Sequence, residues 1–378
     1  MRDALSPPIW VHTKQSLQKM IDDITAQPRV AVDTESNSLH AFREQVCLLQ
    51  FSTSTTDYLV DPFAIDDLSR LAPIFSNPNI EKIFHAAEYD LICLRRDFGF
   101  SFANIFDTMQ AARVLGYTAV GLDKLLADKF GIHIDKKHQK ANWAARPLPE
   151  EQIQYAMLDT HYLADLRDAL EKDLIEKDRL GFALEDFKRL CSEDTNKIRV
   201  NGESWERFSG RKDLSLRELT IISHLCKWRD KEAERLNRPP YKVVMDDVFI
   251  ALAKNPPEKK VDLSAAGLSE KQIRLWGDVI LGAVRRGAES PLVQRKQVER
   301  KHDAVLRRLE KIKAWRKNLG LEMKVESDII LPKPYLSLLS ENPPKNLEDL
   351  SLLMKDSPAR FEKFGEQILK ALGVKHAN

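Results

Sequence analysis

The stretch "AVDTES", residues 31–36, decides how this chain is read. Val30-Ala31-Val32 has the composition of a short buried strand, and it runs directly into two carboxylates, Asp33 and Glu35. Side chains alternate faces along a strand, so the two acids point the same way. Like charges on one face repel. A chain that ends a buried strand in this manner needs something to neutralise them.

The 378 residues are enough for two or three domains and at least one sizeable core. A hydrophobic content of 43% with 31% charged residues suits a water-soluble globular protein and excludes a fibrous or disordered one. The opening "MRDALSPPIW" has no apolar core of the kind a signal peptide carries. No apolar run approaches membrane-spanning length, so no membrane partner is expected. Cys47, Cys93, Cys191 and Cys226 are scattered without metal spacing. That pattern points to a reducing cytoplasm and away from a disulfide framework or a zinc site. The net charge of +2 hides an asymmetry: residues 1–200 carry a net −7 and residues 201–378 a net +9. An acidic half suits cations and a basic half suits a polyanion, although solvated helix faces give the same split.

Residues 1–200 mix helical and extended patterns. "KQSLQKMIDDI" (14–24) spaces its apolar residues as a helix does, and "RVAVDT", "VCLLQFS", "DYLV", "KIFHAA" and "NIFDT" read as strands. Helices are expected over 87–99, 121–131 and 149–170. Three early strands followed by strands and helices in alternation imply a mixed α/β sheet with flanking helices. After residue 200 helical patterns dominate, and a repeat emerges. "WRDKEAERLNRPPYKVVMDDVFIALAKNPP" from Trp228 and "WRKNLGLEMKVESDIILPKPYLSLLSENPP" from Trp315 share Trp-Arg and Asn-Pro-Pro at a constant offset of 87 residues. Val243-Val244 falls opposite Ile330-Leu331, and Leu252 opposite Leu339. Two copies of one small all-α domain are the economical explanation. The domain expectation is therefore 1–200, 210–290 and 300–378, with linkers near 197–212 and 286–300.

The strand acids find partners in two other segments. "FHAAEYDLICL" carries Glu88 and Asp90, about 200° apart on a helix, so one of them at most faces a given site. Asp90 shares its face with Leu94 and Asp97. "QYAMLDTHYL" sets Tyr155 and Asp159 four residues apart, one above the other on a helix. If Asp33, Glu35, Asp90 and Asp159 converge, their repulsion calls for cations. Hard oxygen ligands select Mg2+ or Mn2+ over zinc. Two such ions, about 3.5–4 Å apart, can activate a water and stabilise a leaving oxygen in phosphodiester cleavage. Tyr155 is then suited to positioning the water, because a phenol with a pKa near about 10 is a poor base. Taken singly, each of these motifs is weak; their combination carries the reading.

The ordered set "VDTES", "FHAAEYD" and "YAMLD" resembles the three motifs of the DEDD exonuclease superfamily. Tyrosine opening the third motif resembles the tyrosine-bearing branch; the histidine branch would place His where Gln154 stands. "CLLQFS", "NIFDTMQAARVLGY" and "NWAARPLPEEQIQYAMLDTHYLADL" are similar to the ribonuclease D group. The segment from Leu214 to Pro257 resembles a helicase-and-RNase-D C-terminal (HRDC) domain, and the second repeat looks like a diverged copy. The resemblance implies a ribonuclease-H-like α/β exonuclease domain followed by two HRDC-type domains. It implies that Asp33, Glu35, Asp90 and Asp159 bind two divalent metals while Tyr155 orients the attacking water. It further implies 3′-to-5′ release of 5′-mononucleotides and trimming of precursor tRNA 3′ ends.

A 3′ end must arrive as a single strand, gripped by basic grooves and stacking aromatics. His85, Gln139, Trp143 and Arg146 are the candidate substrate contacts; a buried histidine and a core tryptophan are the bland alternatives. Residues 285–317 hold 12 Lys+Arg against four acids and form, with the first HRDC copy, a candidate phosphate grip for the tRNA body. A monomer without obligate protein partner is expected. The rival readings are a DNA exonuclease of the same superfamily and a non-catalytic RNA-binding protein. The intact set of four acids argues against the second.

Overall fold

The alternation seen in residues 1–200 builds one mixed sheet. The structure is a computed structural model that describes residues 6–192, 203–295 and 302–374. The strands are β1 (Ile9–Val11), β2 (Arg29–Ser36), β3 (Val46–Ser52), β4 (Asp57–Val60), β5 (Glu81–Phe84) and β6 (Ile105–Asp107), in the spatial order β1-β4-β3-β2-β5-β6. β3 runs antiparallel to both β2 and β4, while β2-β5, β5-β6 and β1-β4 pair in parallel. Around the sheet lie α1 (Lys14–Thr25), α2 (Ala72–Ser76), α3 (Glu88–Phe98), α4 (Thr108–Leu115), α5 (Leu122–Phe130), α6 (Glu150–His161), α7 (Leu163–Glu176) and α8 (Leu180–Ser192).

Period two sorts the two cores. Val30 and Val32 of β2 enter one cluster with Phe51, Phe75 and Leu91, and Ala31 enters another with Ile83, Phe106 and Leu166. Asp33 and Glu35 continue the Ala31 side, and Thr34 continues the other. A register shift falls between Glu35 and Ser36, a bulge at the point where the strand leaves its buried neighbours.

Two compact units emerge: Met1–Ser36 with Val46–Asp194 and Arg300–Asn378, and Asn37–Gln45 with Thr195–Glu299. The expected linkers near 197–212 and 286–300 fall partly outside the described residues. The second unit is helical: α9 (Leu216–Arg235), α10 (Pro240–Val243), α11 (Asp246–Lys254) and α12 (Glu270–Glu289). Its core holds Leu219, Ile222, Leu225, Phe249 and Ile280, with Phe42 of the β2–β3 connection packed against it.

The later repeat folds as α13 (Asp303–Met323), α14 (Ser327–Ile330), α15 (Lys333–Glu341), α16 (Leu347–Leu353) and α17 (Pro358–Leu372). One hydrogen bond marks the repeat more clearly than the sequence does. Arg229 Nη1 donates to the carbonyl of Val244 at 2.8 Å, and Arg316 Nη1 donates to that of Leu331 at 2.8 Å. Donor and acceptor are shifted by the same 87 residues in each case.

This second copy shares its core with the exonuclease sheet. Ile329, Ile330, Leu339 and Phe364 lie in one cluster with Ala112, Leu166 and Phe187. Arg360 is fully buried and pairs with Glu185 at 2.7 Å and Asp186 at 3.0 Å on α8. The backbone also closes in: Gly116 follows α4 with φ +88°, and a Cβ there would meet the carbonyl oxygen of Lys324 at 2.5 Å. Glycine is required there both for the left-handed turn and for the close approach.

Candidate active site

Three elements carry the acids to one place. β2 presents Asp33 and Glu35 from its exposed end, past the buried run Val30-Ala31-Val32. α6 presents Tyr155 and Asp159 one turn apart. α3 presents Asp90 from its first turn, where its dipole favours an acid. All five residues line a cavity of about 390 Å3. Carboxylate oxygens of Asp33, Glu35 and Asp159 lie within 4.8 Å of one another. Asp90 comes from the helix packed on the opposite face of the sheet. Thr34, which points that way, donates its hydroxyl to Asp90 at 2.5 Å.

The charges behave as crowded acids do. Burial first, then Asp159, raises Asp33 well above the usual carboxylate range. Burial followed by Asp33, Asp159 and Asp90 does the same to Glu35, and burial with Asp33 does so to Asp90. Asp159 is pushed up to about 7, chiefly by burial and further by Asp90, with the Tyr155 hydroxyl opposing the shift. Burial and the surrounding carboxylates raise the Tyr155 phenol, so it stays neutral and donates to Asp159. An all-oxygen, multiply charged donor set of this kind fits hard divalent cations. Asp33, Glu35 and Asp159 would hold one, and Asp90 lines the same cavity.

Three further residues stand around this set. Asp107 at the end of β6 accepts from the backbone N–H groups of Ala86, Ala87, Met109 and Gln110 at 2.9–3.1 Å. It therefore caps α4 and fixes the entry to α3, where Ala86 sits at φ 64°. The "FDT" stretch carried the N-cap signal for this. Thr34 is hidden between the two acids that drew attention. Lys136 lines the cavity, paired with Asp123 at 2.6 Å, in the basic run "KKHQK", which matches none of the three acid motifs.

The four expected substrate contacts separate into two pairs. His85 and Gln139 line the cavity, with His85 Nδ1 2.9 Å from the Thr108 hydroxyl and its pKa lowered by burial. Trp143 and Arg146 do not line it, which corrects the stacking-lip reading. Trp143 is 1% exposed and sits behind Tyr155, with ring centroids 6.0 Å apart. Arg146 grips Asp61 through Nε and Nη2 at 2.7 and 2.9 Å and donates to the carbonyls of Cys47 and Trp143. A guanidinium so committed fixes the loop behind the tyrosine. In the basic stretch 285–317, Arg295, Arg308 and Arg316 also bind backbone carbonyls of their own domains; residues 296–301 lie outside the described residues.

Residues 8–175 match the family model for 3′-5′ exonucleases, and residues 218–284 and 305–372 each match that for the HRDC domain. Ribonuclease D of Gluconacetobacter diazotrophicus is 33% identical over 253 residues, 66% of this chain and 64% of its own length. The chain carries a 3′-5′ exonuclease domain followed by two HRDC domains. The exosome complex exonuclease RRP6 of Saccharomyces cerevisiae is similar too, at 32% identity over 74% of this chain. The chain spans 41% of that protein's length. The crystal structure of Escherichia coli RNase D, an exoribonuclease involved in structured RNA processing, aligns with a TM-score of 0.70 over 97% of this chain and 99% of its own. At 23% identity that likeness concerns the fold, a mixed-sheet exonuclease domain with HRDC domains. The four cysteines are free, and no helix among the described residues is long and apolar enough to cross a membrane.

The raised carboxyls couple ion capture to proton release. An acid whose folded pKa lies above its unfolded value holds a proton that the unfolded chain has already lost. The metal-free fold therefore loses stability as pH climbs from about 4 to about 7. A divalent ion replaces those protons, so it competes poorly at low pH. The rise in melting temperature produced by saturating Mg2+ or Mn2+ is expected to be small at about pH 5.5 and to grow up to about pH 8. A metal-induced rise that ignores pH would count against these acids as the binding site.

Proposed function

We propose that this chain is a metal-dependent 3′-to-5′ exoribonuclease that removes 5′-mononucleotides from structured RNA, chiefly precursor tRNA 3′ ends. The observation that carries the reading is the single cavity joining Asp33, Glu35, Asp90, Tyr155 and Asp159. Two divalent ions, Mg2+ or Mn2+, would supply charge stabilisation at the scissile phosphate and acidify a water. The chain's own groups do the rest. Tyr155, neutral and anchored on Asp159, offers its hydroxyl oxygen to orient the attacking water. Lys136 and Gln139 stand at the same cavity to meet phosphate or sugar oxygens. The cavity volume suits a terminal nucleotide and not a stacked duplex end, which favours a single-stranded 3′ tail. The second unit, with its basic connector, is assigned to the body of the RNA, and the protein to the cytoplasm as a monomer.

The test uses a 5′-labelled tRNA with a 3′ extension, and DNA of the same tail sequence. With Mg2+ or Mn2+ the RNA is expected to shorten stepwise from its 3′ end and to stall near the duplex; with chelator it stays intact. The DNA is expected to shorten at least about tenfold more slowly, since it lacks the 2′-hydroxyl. Equal rates on both would favour a DNA exonuclease, and binding without shortening would favour a non-catalytic RNA-binding protein.

A further inference from the structure

The catalytic cavity has a neighbour within the same unit. A second cavity of about 740 Å3 lies between α3, α4 and α8 of the exonuclease domain and the start of α15 in the second HRDC domain. Ala86, Tyr89 and Met109 line both cavities, so the two adjoin. Tyr89 precedes the site acid Asp90, is 47% exposed, and has its hydroxyl 3.3 Å from that of Ser36. Helix geometry turns it about 100° away from Asp90, toward the passage between the cavities.

The chemistry of the second cavity is unlike that of a phosphate groove. Its guanidinium groups are already paired: Arg113 with Glu326 at 2.5 Å and Asp328 at 2.7 Å, and Arg189 with Asp186 at 2.9 Å. Around them stand flat or apolar surfaces, contributed by Tyr89, Ile92, Met109, Leu190, Pro332 and Pro334. Such surfaces suit the faces of nucleobases, which stack with little regard for sequence.

We propose that this second cavity receives the bases of the nucleotides just upstream of the one being removed, with Tyr89 as the stacking platform at its threshold. The proposal rests on the exoribonuclease reading above and adds a base-binding compartment built jointly by the exonuclease and second HRDC domains. It assigns the second HRDC domain a wall of the substrate path through Pro332 and Pro334. It also explains why an exposed tyrosine stands beside a metal-site acid.

The test compares wild type, Tyr89→Ala, Tyr89→Phe and Pro334→Glu on a single-stranded RNA hexamer. Tyr89→Ala is expected to raise KM about 5- to 100-fold, the range of one base–aromatic stack, with kcat changed less than about twofold. Tyr89→Phe keeps the ring and stays within about twofold of wild type. Pro334→Glu, an exposed position that places a carboxylate in the compartment, raises KM at least about threefold. On a hexamer lacking the bases second and third from its 3′ end, wild type and Tyr89→Ala are expected to have equal KM. An active wild type with unchanged KM in Tyr89→Ala overturns the stacking platform, as does a Tyr89→Ala penalty that persists on the base-free substrate. A wild type that shortens no RNA at all overturns the exoribonuclease reading beneath it.

Discussion

Asp159→Asn is expected to abolish metal-dependent release of mononucleotides, by about 10³-fold or more, while RNA affinity stays within a few-fold. The substitution preserves the shape of the side chain and its contact with the Tyr155 hydroxyl, and removes one of three carboxylates clustered within 4.8 Å. Charge stabilisation by bound metal contributes several kcal/mol, and each 1.4 kcal/mol or so is tenfold in rate. Rates on labelled RNA and binding to the same RNA give the two numbers. A third readout separates lost chemistry from lost fold. Asp159 is held against burial and the repulsion of its neighbours, so the metal-free variant is expected to melt higher than wild type. Release at the wild-type rate would end the two-ion assignment.

Arg360→Ala is expected to cost about 3–5 kcal/mol, the range for breaking a buried ion pair by removing one partner. The guanidinium is fully buried between Glu185 and Asp186 and also donates to the carbonyls of Phe182 and Ile329. Glu185 in turn accepts from the backbone of Ala359 and Arg360 at the start of α17. Without the arginine, two carboxylates remain buried with too few donors. A fall in melting temperature on the order of 10 °C is expected, measured by calorimetry or circular dichroism on the full chain. The exonuclease domain should lose activity on heating at the same temperature, because its core is shared with the second HRDC domain. Melting of that HRDC domain alone, with the exonuclease still active, would contradict a common core.

Local spacing explains what could be read without coordinates. Asp33 and Glu35 were assigned to one face because a strand repeats every two residues, and Tyr155 and Asp159 to one edge because a helix nearly repeats every four. The 87-residue repeat was legible because each copy keeps the same anchors, and the twin Arg229 and Arg316 bonds show what those anchors do. Trp143 and Arg146 misled for the opposite reason. Their sequence neighbourhood looks like a substrate lip, but the partner that decides Arg146 is Asp61, 85 residues away. Thr34 and Asp107 escaped notice because a hydroxyl or a carboxylate reveals its role only through what lies across from it.

The sequence alone fixed the chemistry available to this protein: which acids it owns, which share a face, and which segment is repeated. The shared faces follow from backbone periodicity, a property of consecutive residues. Tertiary structure decided which of those groups meet. It joined Asp90 to Thr34 at the end of β2, placed Trp143 behind Tyr155, and fused the second HRDC domain to the exonuclease core through Arg360, 174 residues from Asp186. Contacts at such separations depend on how whole elements pack and on the low-dielectric interior that rewards pairing a buried charge, and no local pattern encodes either.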